Sequence, residues 1–246
     1  MISVCMATYN GERFLREQID SILCQLNPED ELIISDDGST DGTLEIIASY
    51  QDSRIKLLKH DQSKDLLSMQ LGTFREVTQN FQNALNYANG SIIFFADQDD
   101  IWEDDKVRVF VAELESVDIV MSNFSVIDES GNVLKQQFYK KNPIANNLYV
   151  NILKSQFIGC CLAFKRNVLE YILPFPETLL AHDYWTGCLG CYKFKFKYIN
   201  QPLHKYRRYG QNVSPSTGKS KNTISTKIRY RYEFLLQILK HIKNGK

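Results

Sequence analysis

Apolar residues in the first part of the chain form short runs separated by helically spaced sets. The runs in ISVCMATYN, DELIISDDGSTDGT and RIKLLKH have the length of buried strands, and each run ends in a polar segment. Between them, GERFLREQIDSILCQL and LEIIASYQ carry their apolar residues at helical spacing. This strand–helix–strand–helix–strand order predicts a parallel sheet with right-handed crossovers.

The rest of the chain continues the alternation. FREVTQNFQNALNYANG predicts a helix closed by Gly90, and IIFFAD predicts a strand that ends at Asp97. KVRVFVAELES predicts a helix, DIVMSNFSVID a strand, and KSQFIGCCLAFKRNVLEYILPF a strand and a helix. KQQFYKKNPIANNLYVN has poor periodicity and is interpreted as a mobile excursion over the site. AHDYWTGCLGCY predicts a helix, and KFKYINQPLHKYRRYGQNVS predicts a strand followed by a basic, aromatic loop.

The pattern contains no internal repeat and no linker, so a single α/β domain is favoured. Its 246 residues suffice to bury a sizeable core. We expect one Rossmann-like, mostly parallel central sheet flanked by helices.

Three polar turns, ATYN, SDDGSTDG and ADQDD, follow strands of the predicted sheet. Ligands of such sheets bind beyond the carboxyl ends of the strands, where these turns would converge. In the last turn, Asp97, Asp99 and Asp100 come directly after an apolar strand. Neighbouring carboxylates repel one another. The cluster is therefore interpreted either as a solvated acidic loop or as a site for a divalent metal.

The first two turns have side chains suited to a nucleoside. Tyr9 offers an aromatic face, Asp37 offers a carboxylate that can accept an imide N–H, and Gly38 and Gly42 permit unusual backbone shapes. Residues 39–41 could instead cap the next helix. Neither G-x-x-x-x-G-K-[ST] nor G-x-G-x-x-G occurs after the first strand, which excludes simple P-loop NTPases, kinases and dinucleotide dehydrogenases. A nucleotide beside an acidic cluster predicts that Mg²⁺ or Mn²⁺ bridges a diphosphate to the protein.

The charge balance and the cysteine content limit the expected binding partners and the expected cellular compartment. Lys+Arg and Asp+Glu balance at 29 each, so nucleic acid is not an expected partner. The sequence shows neither a signal peptide nor an uncharged apolar run long enough to cross a membrane. Its 6 cysteines are therefore expected to be reduced thiols in the cytoplasm. The pair Cys188 and Cys191 lacks the second well-spaced pair that a zinc site would need.

Several stretches together resemble family-two glycosyltransferases with the GT-A fold. They are ISVCMATYNGERFLREQIDSIL, DELIISDDGSTDGT, NYANGSIIFFADQDDIWEDDKV, AHDYW and PLHKYRRYGQNVS, and the resemblance covers about residues 1–215. The signature DQDDIW is similar to that of rhamnosyltransferase-like enzymes of cell-surface polysaccharide synthesis. The chain departs from processive synthases of the cellulose or hyaluronan kind, because it has no Q-x-x-R-W motif. The resemblance therefore implies a single-transfer enzyme.

The resemblance also implies roles for individual residues near the nucleotide. The base and the rest of the nucleotide would be bound by Thr8, Tyr9, Asn10, Glu12, Asp37, Gly38, Asn80 and Asp97. Asp97, Gln98 and Asp99 form the D-x-D motif, in which Asp99 is the expected direct metal ligand and Asp97 the second. His204 is expected to join the metal or the phosphate. The expected donor- and acceptor-binding residues are Asp100, Trp102, His182, Trp185, Arg207 and Arg208.

Asp183 matches the position of the general base in the similar enzymes. The alternative for Asp183 is a helix N-cap with Trp185 packed below it. His182 is the rival base, since its ordinary pKa is closer to neutral pH. For His204, Arg207 and Arg208 the alternative is a solvated basic loop.

The C-terminal segment, residues 216–246, is predicted to be a basic helical extension. Thr223 to Lys243 have apolar residues spaced for one helical face, and residues 219–246 contain eight Lys or Arg and one acid. Such a helix can lie on an anionic membrane surface, which predicts a peripheral position at the inner face of the plasma membrane. It can equally pack on its own domain or on a dimer partner.

The combined prediction is an inverting, metal-dependent glycosyltransferase of the hexosyltransferase class. It would transfer a sugar from dTDP-rhamnose or a UDP-sugar to a hydroxyl group of a lipid-linked or growing cell-surface glycan. Residues 1–105 would form the nucleotide-binding half and residues 106–215 the acceptor-binding half. A nucleotidyltransferase is one alternative, although it would usually have a Gly-rich phosphate loop after the first strand. A non-catalytic module that binds sugar nucleotides is the other, and Asp183 argues against it.

Overall fold

The predicted alternation of strands and helices is confirmed in the computed structural model, which describes residues 1–60, 69–145, 147–154, 156–179, 181–210 and 223–244. The first elements are β1 (Ile2–Thr8), α1 (Leu15–Leu23), β2 (Glu31–Asp36), α2 (Thr43–Ser49), β3 (Ile55–Lys59), α3 (Met69–Asn86) and β4 (Ile92–Asp97). They are followed by β5 (Ile101–Trp102), α4 (Lys106–Leu114), β6 (Ile119–Ile127), β7 (Val133–Lys135), α5 (Leu148–Lys154) and a 3-10 turn (Gly159–Cys161). The last elements are β8 (Leu162–Lys165), α6 (Arg166–Ile172), α7 (His182–Lys193), β9 (Phe196–Arg207) and α8 (Ile224–Lys243).

Within the described residues, 9 strands form one sheet in the order β3-β2-β1-β4-β8-β6-β9-β5, with β7 beside β6. The strands β1 to β4 pair in parallel, as do β6 and β9, whereas β8 runs antiparallel between β4 and β6. Most paired residues lie in parallel ladders, which confirms the predicted sheet. Since β1, β2 and β4 are parallel neighbours, the polar turns that follow them meet at one edge.

The sheet is buried on both faces because alternate residues of its strands point to opposite sides. Val4 and Met6 of β1 belong to a core formed with α1, α2 and α4. Cys5 belongs to the opposite core, formed with α3 and α5 to α8. Burial on both faces fixes the strands, so the polar residues at their ends start from rigid positions.

The segment predicted to be a mobile excursion is anchored to β6 where the structure describes it. Phe138 donates its backbone N–H to the carbonyl of Phe124 at 2.8 Å, and the two rings stack with centroids 4.5 Å apart. The Asn123 side chain donates to the Tyr139 carbonyl at 2.7 Å. The segment ends in helix α5. Residues 136–145 are in neither helix nor strand, which matches the poor periodicity, and only the end of the segment, from Leu148, is helical. Its mobility and its position over the site stay predictions.

Gly90 does not close α3, which ends at Asn86. A Cβ atom at Gly90 would lie 2.5 Å from the backbone nitrogen of Ser3. The Gly90 N–H donates to the Ser3 hydroxyl at 2.7 Å. Glycine is therefore required by the close approach to β1, and the predicted capping role is wrong.

The predicted basic loop is also different in the structure. β9 continues to Arg207, so His204 and Arg207 lie inside the sheet and are buried. The interpretation as a solvated loop is therefore wrong for these two residues. The later part of the predicted loop, from Gln211, lies outside the described residues.

Helix α8 confirms the predicted C-terminal helix. The Thr223 hydroxyl accepts the Thr226 N–H at 3.2 Å and caps its start. Phe234 and Ile238 are buried in the core formed with α6 and α7, so one face of α8 packs on its own domain. No helix in the described part of the chain combines the length and apolar character needed to cross a membrane. The predicted boundary at residues 215 and 216 lies outside the described residues, and the division into halves stays a prediction.

Candidate active site

The loops that follow β1 and β2 are joined by hydrogen bonds. The Asn10 side-chain oxygen accepts the Thr40 N–H at 2.8 Å, and the Asn10 N–H donates to the Ser39 hydroxyl at 2.9 Å. The Glu12 carboxylate accepts the Gly42 N–H at 2.6 Å. The side chains of Asn10 and Glu12 therefore hold the two loops together. They would support a nucleotide site by fixing these loops, and not by binding the nucleotide themselves.

The consecutive carboxylates Asp36 and Asp37 have different partners. Asp36 accepts hydrogen bonds from the Thr8 hydroxyl at 2.9 Å and from the Gly38 N–H at 3.1 Å. Gly38 has φ 79°, a conformation that glycine adopts without strain. Asp37 is buried, and one of its oxygens lies 2.7 Å from Nδ1 of His60. The Thr8 hydroxyl is thus bonded to Asp36. Asp37 follows the end of β2, and its carboxylate is oriented by the contact with His60.

The ring of Tyr9 is presented on a fixed backbone. Tyr9 is 52% exposed, and its backbone N–H and carbonyl bond to the Gln98 side-chain amide at 2.9 and 3.0 Å. The Asn80 amide nitrogen donates to the neighbouring Thr8 carbonyl at 3.2 Å. These bonds connect the loop after β1 with the acidic turn after β4. An exposed aromatic face held in this way is suited to a flat ligand.

The carboxylates of Asp97 and Asp99 crowd the end of β4. Burial and the charges of Asp100, Asp99 and Asp183 raise the pKa of Asp97 well above its ordinary value. Burial and the charge of Asp100 raise the pKa of Asp99 to about 7. The cluster is therefore not a fully solvated loop. Carboxylate oxygens are ligands that Mg²⁺ and Mn²⁺ prefer, and a divalent cation would relieve their repulsion.

Asp100 belongs to a buried network instead. Its Oδ2 lies 2.7 Å from His204 Nε2, and its Oδ1 accepts the Arg207 N–H at 2.8 Å. Nδ1 of His204 lies 3.1 Å from Nζ of Lys106, which donates to the Cys160 carbonyl at 2.6 Å. Potential ligand atoms of Asp100, Cys160 and His204 lie within 4.8 Å of one another. The Lys106 ammonium already supplies a cation beside them.

This network changes the roles expected for the residues of β9. Both ring nitrogens of His204 have partners, which argues against the predicted metal or phosphate contact. The Arg207 guanidinium donates to the carbonyls of Asp99 at 2.9 Å and Glu129 at 3.1 Å, and it pairs with Glu17. Arg207 thus supports the acidic turn instead of facing a donor. Arg208 is half-exposed and keeps its predicted role as a candidate.

Asp183 is the second residue of α7, after the N-cap Ala181. Its carboxylate accepts the Tyr184 N–H at 2.7 Å and bonds to the Gly159 backbone. Burial raises the pKa of Asp183 to about 6, although these N–H groups favour the charged form. Such a carboxylate is a stronger base than an exposed one and is still mostly ionised at neutral pH. Gly159, whose backbone bonds to Asp183, is followed by Cys160, whose side chain bonds to Asp97, so both carboxylates lie at the same turn.

The rival base, His182, lies in an aromatic core. Its ring stacks on Phe81 with centroids 4.0 Å apart and meets the edge of Phe95 at 5.0 Å. Burial lowers the pKa of His182 to about 3. Its Nε2 has no hydrogen-bond partner within the described residues. An imidazole that resists protonation so strongly is a weak base, and its predicted contact with a ligand is not favoured.

Trp102 and Trp185 are core residues, which corrects their predicted contact with donor or acceptor. Trp102 packs against Phe94, and the Lys106 ammonium lies 4.2 Å from the centroid of its ring. Trp185 donates its ring N–H to the Ile172 carbonyl at 3.0 Å. Both are buried.

Four further residues shape the site, and the sequence gives little sign of them. Gln98 is the middle residue of D-x-D, and nothing in the sequence marks His60 or Lys106. Tyr209, whose hydroxyl bonds to Asp99, lies in the stretch noted as basic and aromatic. The aromatic character of that stretch is the one sequence signal among these four residues, and it indicates Tyr209.

The linked nucleoside-type loops, the acidic turn and the carboxylate at the start of α7 define a nucleotide-dependent transferase. Residues 3–173 match the family described as Glycosyl transferase family 2. The match covers more than half of the chain, so this chain belongs to that family and is a glycosyltransferase.

Relatives and a solved structure agree with this assignment. The dTDP-rhamnosyl transferase RfbG of Shigella flexneri is 36% identical over 84% of this chain and 72% of its own. The UDP-Glc:alpha-D-GlcNAc-diphosphoundecaprenol beta-1,3-glucosyltransferase WfgD of Escherichia coli is 29% identical over 72% of this chain and 64% of its own. The crystal structure of S. aureus TarS 1-349 in complex with UDP-GlcNAc superimposes with a TM-score of 0.68 at 18% identity, covering 94% of this chain and 65% of that chain. This likeness confirms the predicted GT-A fold.

Proposed function

We propose that the enzyme catalyses an inverting, metal-dependent transfer of a sugar from a nucleoside-diphosphate donor to a hydroxyl group of a cell-surface glycan. The observation that carries this proposal is that one turn contacts both carboxylates: the Gly159 backbone bonds to Asp183, and the side chain of the next residue, Cys160, bonds to Asp97. A single basic carboxylate thus stands beside the acidic turn and the nucleotide loops. This combination suits the removal of a proton on one side of a sugar and the departure of a diphosphate on the other.

Asp99 and Asp97 would hold Mg²⁺ or Mn²⁺. The crowding that raises the pKa values of both carboxylates is the feature that fits a divalent cation. The ion would stabilise the charge of the departing diphosphate. Tyr209 and Arg207 support Asp99, through its side chain and its backbone carbonyl respectively.

Asp183 would act as the general base. It takes the proton of the acceptor hydroxyl while that oxygen forms a bond to the anomeric carbon. The bond between the anomeric carbon and the diphosphate oxygen breaks at the same time, and its electrons leave with the diphosphate. A single displacement of this kind inverts the anomeric configuration.

The donor is proposed to be dTDP-rhamnose or a UDP-sugar. The exposed ring of Tyr9 offers a stacking face, and the Asp37 carboxylate can accept the imide N–H that uracil and thymine share. The names of two relatives support this choice, since RfbG is a dTDP-rhamnosyl transferase and WfgD uses UDP-Glc.

The acceptor is proposed to be a lipid-linked glycan at the cytoplasmic face of the membrane. WfgD, by its name, acts on a sugar joined to diphosphoundecaprenol. An acceptor of this kind is confined to the bilayer surface. The enzyme would therefore work as a peripheral protein.

The variant Asp183→Asn tests the proposal, because it keeps size and hydrogen-bonding ability while it removes basicity. We expect it to fold and to bind dTDP or UDP with Mn²⁺ like the wild type, but to lose about 10²–10⁴-fold in turnover. Transfer can be measured from dTDP-rhamnose and UDP-glucose to a synthetic GlcNAc-diphospholipid. The exposed substitution Glu115→Gln is the matched control.

Two results would contradict the mechanism. Near-normal turnover of Asp183→Asn combined with an inactive His182→Ala variant would assign the base to His182. An NMR spectrum of the product that shows retention of the donor's anomeric configuration would exclude single displacement, whichever residue is the base.

A further inference from the structure

Helix α8 exposes a row of large apolar side chains on the face opposite its packed side. Phe234 and Ile238 are buried, whereas four other apolar residues are exposed. These are Ile228 at 62%, Tyr232 at 61%, Leu236 at 47% and Leu239 at 43%. Their spacing of three or four residues places them on one side of the helix, and we name them the outer stripe.

Basic side chains border the outer stripe. The helix from Ile224 to Lys243 contains five Lys or Arg residues and a single acid, Glu233. Arg229 bonds to Glu233 at 2.8 Å, and Lys240 and Lys243 are exposed. The exposed side of α8 is thus apolar in the middle and strongly positive overall.

The neighbouring helix α5 also exposes apolar side chains. It contacts α8 and exposes Tyr149 at 60% and Leu153 at 58%. Five of these six exposed side chains are tyrosine or leucine. Tyrosine favours the interface between water and lipid, because its ring is apolar and its hydroxyl is polar.

The two helices are directly connected to the proposed base. Tyr184 follows Asp183 in α7, and its ring stacks on Phe234 of α8 with centroids 4.2 Å apart. The Tyr184 hydroxyl donates to the backbone carbonyl of Ile152 in α5. Helices α5 and α8 therefore pack directly on the residue that follows the proposed base.

We infer that the outer stripe, together with Tyr149 and Leu153, is a docking surface for an anionic membrane, on which the enzyme meets its lipid-linked acceptor. The inference rests on the proposed function only for the identity of the acceptor. Apolar side chains would enter the headgroup region, and the basic side chains would face anionic lipid. A second copy of the chain fits less well, because a symmetric pair would bring the two basic borders together.

Vesicle flotation of the full chain tests the inference. We expect binding to vesicles of equal parts phosphatidylcholine and phosphatidylglycerol, weaker binding to phosphatidylcholine alone, and weakening by salt. The double variant Leu236→Ser/Leu239→Ser should reduce binding by about tenfold or more, since two apolar side chains no longer enter the lipid. Leu134→Ser is the matched control, because Leu134 is 62% exposed on β7.

Three outcomes would overturn the inference. These are equal binding to both kinds of vesicle, binding that the double variant leaves unchanged, and a dimer in light scattering that the double variant dissolves without any vesicle binding. Calorimetry with dTDP and Mn²⁺ separates this inference from the proposed function. Normal nucleotide binding without vesicle binding would reject the docking surface alone, and the reverse result would reject the nucleotide site alone.

Discussion

The surroundings of Asp183 determine how the proposed reaction responds to pH. Burial raises its pKa to about 6, so the carboxylate is ionised above that pH and becomes protonated below it. Only the ionised form can accept the proton of an acceptor hydroxyl. We therefore expect kcat to be level in neutral solution and to fall about tenfold per pH unit below the pKa of the base.

A pH–rate profile at saturating donor and Mn²⁺ checks this expectation. Asp99 could also become protonated in acid, which would weaken the metal site rather than the base. Calorimetry of dTDP and Mn²⁺ at the same pH values separates the two causes, because only the loss of metal lowers nucleotide affinity. A kcat that stays constant down to about pH 5 would contradict the role of Asp183.

The sequence indicates the candidate carboxylates of the site more reliably than it indicates which other side chains face a ligand. The sequence singles out Asp97, Asp99 and Asp183 because these motif positions carry carboxylates, and their roles stay proposals. The same motif matching gave Trp102 and Arg207 ligand contacts that the structure does not support. Trp102 is covered by Lys106, and Arg207 is surrounded by Glu17, Asp99 and Glu129. The neighbours of Arg207 are distant in the sequence, so no local pattern could show that this side chain is buried.

At the scale of elements, α4, β9 and the acidic turn are joined by the network of Lys106, His204 and Asp100. Asp100→Asn would remove the one carboxylate bonded to His204 and leave the Lys106 ammonium buried with less compensation. We expect a loss of about 3–5 kcal/mol in the free energy of unfolding. The exposed pair of Asp105 and Arg108 is the control, and Asp105→Asn should cost less than about 1 kcal/mol.

Urea denaturation measures these changes, and a second substitution sharpens the test. Lys106→Met combined with Asp100→Asn removes both charges, so the double variant should recover part of the loss. Strictly additive losses would show that the two groups do not interact. A loss for Asp100→Asn as small as that for Asp105→Asn would contradict the proposed importance of the network.

The first four strands were predictable because they are buried on both faces and therefore read as continuous apolar runs. β9 was predicted to end too early, because its last part contains His204, Lys205 and Arg207. His204 and Arg207 are tolerated inside a sheet because Asp100 and the carbonyls of Asp99 and Glu129 accept their hydrogen bonds, and Lys205 pairs with Glu103. Polar strands of this kind look like loops until their partners are known.

At the scale of the whole molecule, the two parts of the proposed site are carried by different elements. The nucleotide loops and the acidic turn lie after β1, β2 and β4, whereas Asp183 is held by α7, which packs against α5 and α8. The hydrogen bonds described above for the nucleotide loops involve no residue of α7. Nucleotide binding is therefore expected to be measurable without any acceptor.

The last prediction concerns the stability of the whole molecule in the presence of nucleotides. A ligand that binds only the folded chain stabilises it, by about 2.7 kcal/mol at a concentration of one hundred times its Kd. For a chain of this length each kcal/mol corresponds to a shift of about 2–4 °C in Tm. We expect such a shift with dTDP or UDP and Mn²⁺, and a smaller one with GDP, because guanine has a larger ring system and two donors, whereas His60 already bonds to one of the two Asp37 oxygens.

Chelation by EDTA and the variant Asp99→Ala should each remove most of this shift, because the diphosphate then has no cation to bridge it to the acidic turn. Asp104→Asn is the matched control, since Asp104 is an exposed acid close to the turn and bonds to none of the site residues described above. Its shift should equal that of the wild type. A larger shift with GDP than with both pyrimidine nucleotides would reject the assigned base site. A full shift in EDTA would reject the metal role of Asp99, even if the preference for pyrimidines were observed.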